Sequence, residues 1–223
     1  MNDAPPRPAE ARNLREQAYA SFTERLMARE IKPGQFVSQR ELVELTGLPL
    51  GAIRELVPRL EAEGLIRTVP QRGMQVAHVD LNLIRNAFQF RLFLEREAAA
   101  LYAETASDAE IAAQAEAHRS IIARARAGGD PALIADAEET DRRLHEAIID
   151  HLDNDIISKA FRVNWIKIKL IRQNETRLYD ELVLPVMADH MRIIDAIIAR
   201  EPVAAAAAMA EHITNARNRA MEL

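Results

Sequence analysis

Cysteine is missing altogether from the 223 residues of this chain. That excludes disulfide staples and thiolate metal sites, and it suits a reducing compartment. Aromatic residues amount to 4% and glycine to 7 residues. So little of either, beside abundant Ala, Leu, Glu and Arg, argues against a sheet-rich fold and for a mainly helical one. No apolar run is long enough to cross a bilayer, and the opening MNDAPPRPAEARN has no apolar signal core. A cytoplasmic location and no membrane partner are the expectation.

What is present is material for a core: 48% of the residues are hydrophobic. The net charge of −5 at first speaks against a nucleic-acid binder. Its distribution removes that objection. Residues 1–80 hold 11 Lys/Arg against 11 Asp/Glu, whereas residues 81–223 hold 18 against 23. The acidity lies wholly in the second part, and phosphate attraction is local, screened over roughly 8 Å at physiological salt.

Residues 1–12, rich in proline and polar side chains, read as a flexible tail. Residues 13–30 space Leu14, Ala18, Phe22 and Leu26 as a helix that stops at Pro33-Gly34. Ser38 and Glu41 form a capping box ahead of a short helix that Gly47 ends. The next helix carries Ile53, Leu56, Val57 and Leu60 as its stripe and stops at Gly64, with Pro58 set oddly inside it. Ile66, Val69, Met74, Val76 and Val79 suit two short strands around a Gln-Arg-Gly turn. From Leu81 the pattern is helical, with helices expected at 81–105, 108–127, 130–151, 153–173, 176–182, 185–200 and 202–221. Leu184-Pro185 is read as a break between two of them. The expected domains are therefore residues 13–79 and an all-helical 80–223.

A helix, a tight turn with Gly, a second helix and two strands make a winged helix-turn-helix. Arg40 opens the first helix of the pair, Arg54 lies in the first turns of the second, and Arg72 tips the wing. Each guanidinium suits phosphate or a guanine edge, though any one arginine alone reads more readily as solvated surface. The run from Pro33-Gly34 through Arg40-Glu41-Leu42, Gly47, Ile53-Arg54-Glu55, Arg59-Leu60-Glu61, Glu63-Gly64-Leu65 and Arg72-Gly73 resembles the DNA-binding domain of the GntR family. The resemblance implies double-stranded operator DNA as partner, with contacts at Arg40, Arg54, Arg72 and Gly73, and a homodimer reading two half-sites. Pro49-Leu50-Gly51-Ala52 departs from it. That family usually has Ser-Arg-Thr-Pro there, so the operator is expected to differ from the common one.

In the helical part, Asp141 and His145 are four residues apart on one helical face, where a carboxylate and an imidazole can grip one ion. His190 and His212 lie on two later helices, and three helices of a bundle can point such groups inward. Spacing alone leaves ordinary core or surface histidines as the alternative. Residues 81–220 resemble the all-helical FCD domain of FadR-type GntR regulators, with Arg91-x-x-x-Glu95, Asp141-x-x-x-His145, His190 and His212 in that domain's order. The resemblance implies a divalent metal on Asp141, His145, His190 and His212, zinc first, with nickel, manganese or iron as alternatives. It also implies a small carboxylate effector beside the metal, met by Arg91. An i,i+4 ion pair with Glu95 is the competing role for Arg91. His118 and His151 fall outside the pattern and read as structural or exposed. The chain so read is a repressor rather than an enzyme. A metal-dependent hydrolase with an accessory DNA-binding domain is one alternative, but no H-E-x-x-H or comparable motif supports it. A pure metal sensor is another.

Overall fold

The computed structural model describes residues 8–172 and 179–222, with side chains from 13 to 172 and from 181 to 222. The elements run α1 (Pro8–Met27), β1 (Phe36–Val37), α2 (Gln39–Thr46), α3 (Leu50–Ala62), β2 (Ile66–Val69), β3 (Gly73–Val76), α4 (Leu81–Thr105), α5 (Asp108–Arg126), α6 (Leu133–Asp150), α7 (Asp155–Arg172), α8 (Tyr179–Ile198) and α9 (Pro202–Met221). The fold is mainly α, a winged helix-turn-helix followed by a helical domain. The chain separates into two compact units, Met1–Leu83 and Ile84–Leu223.

In the first unit, the buried stripe Ala18, Phe22 and Leu26 of α1 packs against Ile53, Leu56 and Leu60 of α3. Apolar burial of this kind stabilises by about 1.5–3 kcal/mol per large side chain. Tyr19 and Arg59 tie the same pair of helices together, through Tyr19 Oη donating to Glu63 at 2.7 Å and Arg59 donating to both oxygens of Glu16. Ser38 caps α2: its hydroxyl accepts from the Glu41 N–H while Glu41 accepts from the Ser38 N–H. Gly47 closes α2 in the left-handed conformation at φ 69°. Pro58 lies on the exposed side of α3, and the helix continues through it to Ala62.

The wing has one strand more than the sequence pattern announced. β1 joins the hairpin in an antiparallel sheet of order β1-β3-β2, with Phe36 opposite Gln75 and Ile66 opposite Val76. Two residues are too short for an alternation to be read, and their partner lies nearly forty positions away. Val79 falls beyond the strands.

In the second unit α8 packs on α5, α6 and α9, and α6 also meets α5 and α7. Ser107 and Glu110 make a capping box at the start of α5. Two expectations need correction. The helix read as starting at 13 starts at Pro8. The break read at Leu184-Pro185 is absent, since α8 runs from Tyr179 to Ile198 through Pro185. Pro185 is exposed, while Val183, Val186, Met187 and His190 around it are buried. Burying that face outweighs the roughly 3 kcal/mol that an interior proline costs. The expected helix at 176–182 falls in part on residues 173–178, outside the described residues.

Candidate metal centre

Asp141 and His145 project from one face of α6, His190 from α8 and His212 from α9. All four are buried, and one potential ligand atom of each lies within 4.8 Å of the others. His190 Nε2 is 3.3 Å from Asp141 Oδ1 and 3.3 Å from His212 Nε2, and His145 Nε2 is 3.6 Å from Asp141 Oδ1. The structure thus brings together the four residues singled out from sequence.

The opposite nitrogens of two of the imidazoles, His145 and His190, have outward partners. His145 Nδ1 is 2.5 Å from Glu95 Oε2 on α4. His190 Nδ1 is 3.1 Å from His118 Nε2 on α5, and His118 Nδ1 is 2.7 Å from the Gln114 carbonyl oxygen. His212 Nδ1 faces Asp189 Oδ2 at 3.7 Å, longer than a hydrogen bond, and has no hydrogen-bond partner. Metal-bound histidines characteristically present their second nitrogen to a carboxylate, a carbonyl or a similar group.

The donor set fits a divalent cation. Burial pushes His190 down to about 3, with neighbouring His212 adding to it. Burial also lowers His212 to about 4, against the pull of Asp189. Both rings are neutral and present lone pairs. Burial works against charge on His145, but Glu95 and Asp141 more than offset it and raise its pKa. The cluster therefore attracts a positive charge to its centre. Burial works to raise the pKa of Asp141, but Arg172, His145 and His190 together outweigh it and hold the carboxyl well below the usual carboxylate range. Two imidazole nitrogens 3.3 Å apart without a shared proton or ion would set lone pair against lone pair. Imidazole with carboxylate suits zinc, nickel, iron or manganese.

Arg91 is buried at the same place. It holds Glu95 through Nε at 2.5 Å and Nη2 at 3.1 Å, and Nη2 lies 3.2 Å from both ring nitrogens of His145. Its i,i+4 pairing with Glu95 is thus real, and Arg91 also lines a pocket beside the cluster. That pocket has an empty volume of about 420 Å³, part of it open to solvent. Phe88, Ile168, Leu182 and Val186 form its apolar wall, and Asp141, His212, Arg172 and Arg219 also border it. Arg172 Nη1 donates to Asp141 Oδ2 at 2.9 Å. The carboxylates of Asp141 and Glu95 are thus matched by two guanidinium groups. Trp165, the chain's single tryptophan, lies with its ring 5.7 Å from that of His145.

The family model described as the FCD domain matches residues 86–215, which include all four residues of the cluster. The chain belongs to the FCD-domain regulators of the GntR family. The family model "Bacterial regulatory proteins, gntR family" matches residues 14–76 of this GntR regulator. The transcriptional regulator LutR of Bacillus subtilis is 25% identical over 213 aligned residues, covering 83% of this chain and 91% of LutR. The regulator BphR of Paraburkholderia xenovorans is 24% identical over 204, covering 89% of this chain and 82% of BphR. Among solved structures, E. coli McbR/YncC superposes with a TM-score of 0.77 at 17% identity, covering 94% of this chain and 97% of that one. That last likeness is one of fold.

In the DNA-binding unit of this GntR regulator, Arg40, Arg54 and Arg72 are all exposed. Arg40 makes an i,i+4 pair with Glu44, and the Arg72 guanidinium lies 5.2 Å from the centre of the Phe36 ring. Gly73 has a structural reason of its own. At φ 92° a Cβ there would stand 3.0 Å from the Val37 carbonyl oxygen, so only glycine lets β1 approach β3 this closely. Leu50 and Gly51 at the start of α3 are exposed, and Leu50 offers apolar contact where the family commonly has arginine. Sequence reasoning did not single out Asp189 or the bond from Glu95 to His145, and it set His118 aside. The contacts of Glu95 and His118 join residues 50 and 72 positions apart in the chain, for which a single sequence has no local signal. No described helix is long and apolar enough to cross a membrane.

Proposed function

We propose that this GntR regulator is a metal-containing, metabolite-responsive repressor. Its FCD domain holds a divalent ion on Asp141, His145, His190 and His212 and binds a small organic carboxylate beside it. The observation that carries this reading is the convergence of three imidazoles and one carboxylate, all buried, beside a pocket that two of them, Asp141 and His212, border together with the guanidinium groups of Arg91, Arg172 and Arg219. An ion there supplies a Lewis-acidic point for an anionic oxygen. The protein's own residues do the rest. Glu95 and His118 orient the imidazoles of His145 and His190, Phe88 and Ile168 offer apolar contact, and Arg91 or Arg219 meets negative charge.

Electrostatics favours an anion. Glu95 and Asp141 are already matched by Arg91 and Arg172. A divalent ion therefore adds positive charge beyond what these two carboxylates match among the described residues, and uncompensated charge at a buried position is costly. A carboxylate entering the pocket offsets it. Arg91 holds Glu95 through Nε and Nη2, so Nη1 is the donor it offers to such a ligand. Two chains together read the operator, with Arg40, Arg54, Arg72 and Gly73 at the DNA. Effector binding lowers operator affinity by favouring one arrangement of the dimer.

Elemental analysis of tag-free protein, beside an Asp141→Ala/His190→Ala double variant, tests the metal. About one zinc, nickel, manganese or iron per chain, lost in the folded variant, supports it; none, even after zinc is supplied, sinks it. Titration of operator binding with a panel of organic acids then tests the effector class.

A further inference from the structure

His118 carries no part of the proposed ligand set, yet it is fully buried against a member of that set. Its ring meets the His190 ring edge-on, with centroids 5.2 Å apart. Its Nδ1 lies 2.7 Å from the Gln114 carbonyl oxygen, four residues back on α5. A carbonyl oxygen only accepts, so His118 Nδ1 carries a proton and donates it. On a neutral ring Nε2 is then a lone pair, and it points at His190 Nδ1 from 3.1 Å. A second lone pair at that distance is repulsive. His190 therefore carries its proton on Nδ1, and its Nε2 is left bare among Asp141 and His212.

We propose that His118 is a positioning residue for metal binding, an outer partner that holds His190 in the tautomer whose Nε2 can ligate an ion. The inference rests on the metal reading above and adds to it a residue on α5, a helix that gives no ligand. The alternative tautomer has a clear attraction of its own. Asp141 Oδ1 stands 3.3 Å from His190 Nε2, a good acceptor for an Nε2–H. Without His118 the proton moves to that side. It then occupies the position an ion needs, and metal binding must first displace it. A neutral histidine, unlike a carboxylate, fixes the tautomer without adding negative charge to the site.

The test uses full-length protein with His118→Leu, which removes the acceptor, and His118→Gln, whose side-chain oxygen restores one. Nickel affinity is measured by competition with a chelator, and the His190 tautomer by ¹⁵N–¹H correlation in metal-free protein. The expected result for His118→Leu is nickel affinity lower by roughly 10- to 100-fold, the usual cost of losing an outer partner, with the His190 proton moved from Nδ1 to Nε2. His118→Gln is expected to bind more tightly than His118→Leu and to keep the Nδ1 proton. Parent-like affinity in His118→Leu overturns the inference and leaves the metal reading intact. So does weakening with the tautomer unchanged, or equal loss in both variants. A parent protein that binds no nickel, zinc, manganese or iron overturns the metal reading and the inference with it. If His118→Leu does not fold, His118→Gln carries the test: loss of the Nδ1 proton there with unchanged affinity refutes the link.

Discussion

Saturation with zinc should raise the melting temperature of the C-terminal unit, and Asp141→Ala should abolish the rise. The four candidate ligands come from α6, α8 and α9, so an ion binds the folded arrangement and not the unfolded chain. Free zinc at 100 times its dissociation constant then stabilises by about 2.7 kcal/mol. The unit spans Ile84–Leu223. At about 2.1 cal/mol/K of unfolding entropy per residue, that energy moves the melting point by roughly 9 °C. Asp141→Ala removes the carboxylate that faces both His145 Nε2 and His190 Nε2. It also removes an acceptor of Arg172, so its metal-free melting point should fall, and the diagnostic quantity is the zinc-dependent difference. Scanning calorimetry of the full chain in chelator and in excess zinc supplies both values. Equal melting points for the parent in the two conditions would refute the reasoning. A rise in Asp141→Ala as large as the parent's would show that zinc acts elsewhere.

Three further outcomes are expected. Copper or nickel should quench Trp165 fluorescence with a one-to-one endpoint, because the indole lies 5.7 Å from the His145 ring; His212→Ala should remove the saturable phase, and unchanged emission in the parent would tell against metal at this place. Gly73→Ala should destabilise the first unit by about 1–3 kcal/mol in denaturant unfolding, given φ 92° and a 3.0 Å approach to the Val37 oxygen; an unaltered midpoint would mean β1 yields freely. Arg54→Ala and Arg72→Ala should weaken operator binding. A base contact would cost about 1–3 kcal/mol and relax sequence preference, a phosphate contact would lower the salt slope by about one, and parent-like binding by both variants would remove these residues from the interface.

The parts of this molecule legible in sequence are those set by local rules. The capping box at Ser38 and the Gly47 terminator act within four residues, and α4 begins and ends where its apolar pattern does. The Asp141-His145 pair was visible because α6 is one helix, so i and i+4 share a face. Convergence of His190 and His212 upon it was not a property of spacing, and the expectation came through the resemblance to FCD domains. Pro185 misled because its local cost was weighed without the burial of Val183, Val186 and Met187 that α8 gains by continuing. β1 and the outer partners Glu95, His118 and Asp189 depend on neighbours remote in the chain. Arg91 had two readings, ion pair or pocket wall, and its side chain does both: it holds Glu95 and borders the pocket.

The balance of two carboxylates against two guanidinium groups has a logical consequence. Arg219 apart, the fixed charges described around this pocket are already paired, which limits its pull on a passing anion. Charged with an ion, the same pocket becomes an anion trap. Under the proposed reading the protein therefore works as a coincidence detector: a cell short of metal would be blind to the metabolite, however abundant, and would keep the operator occupied.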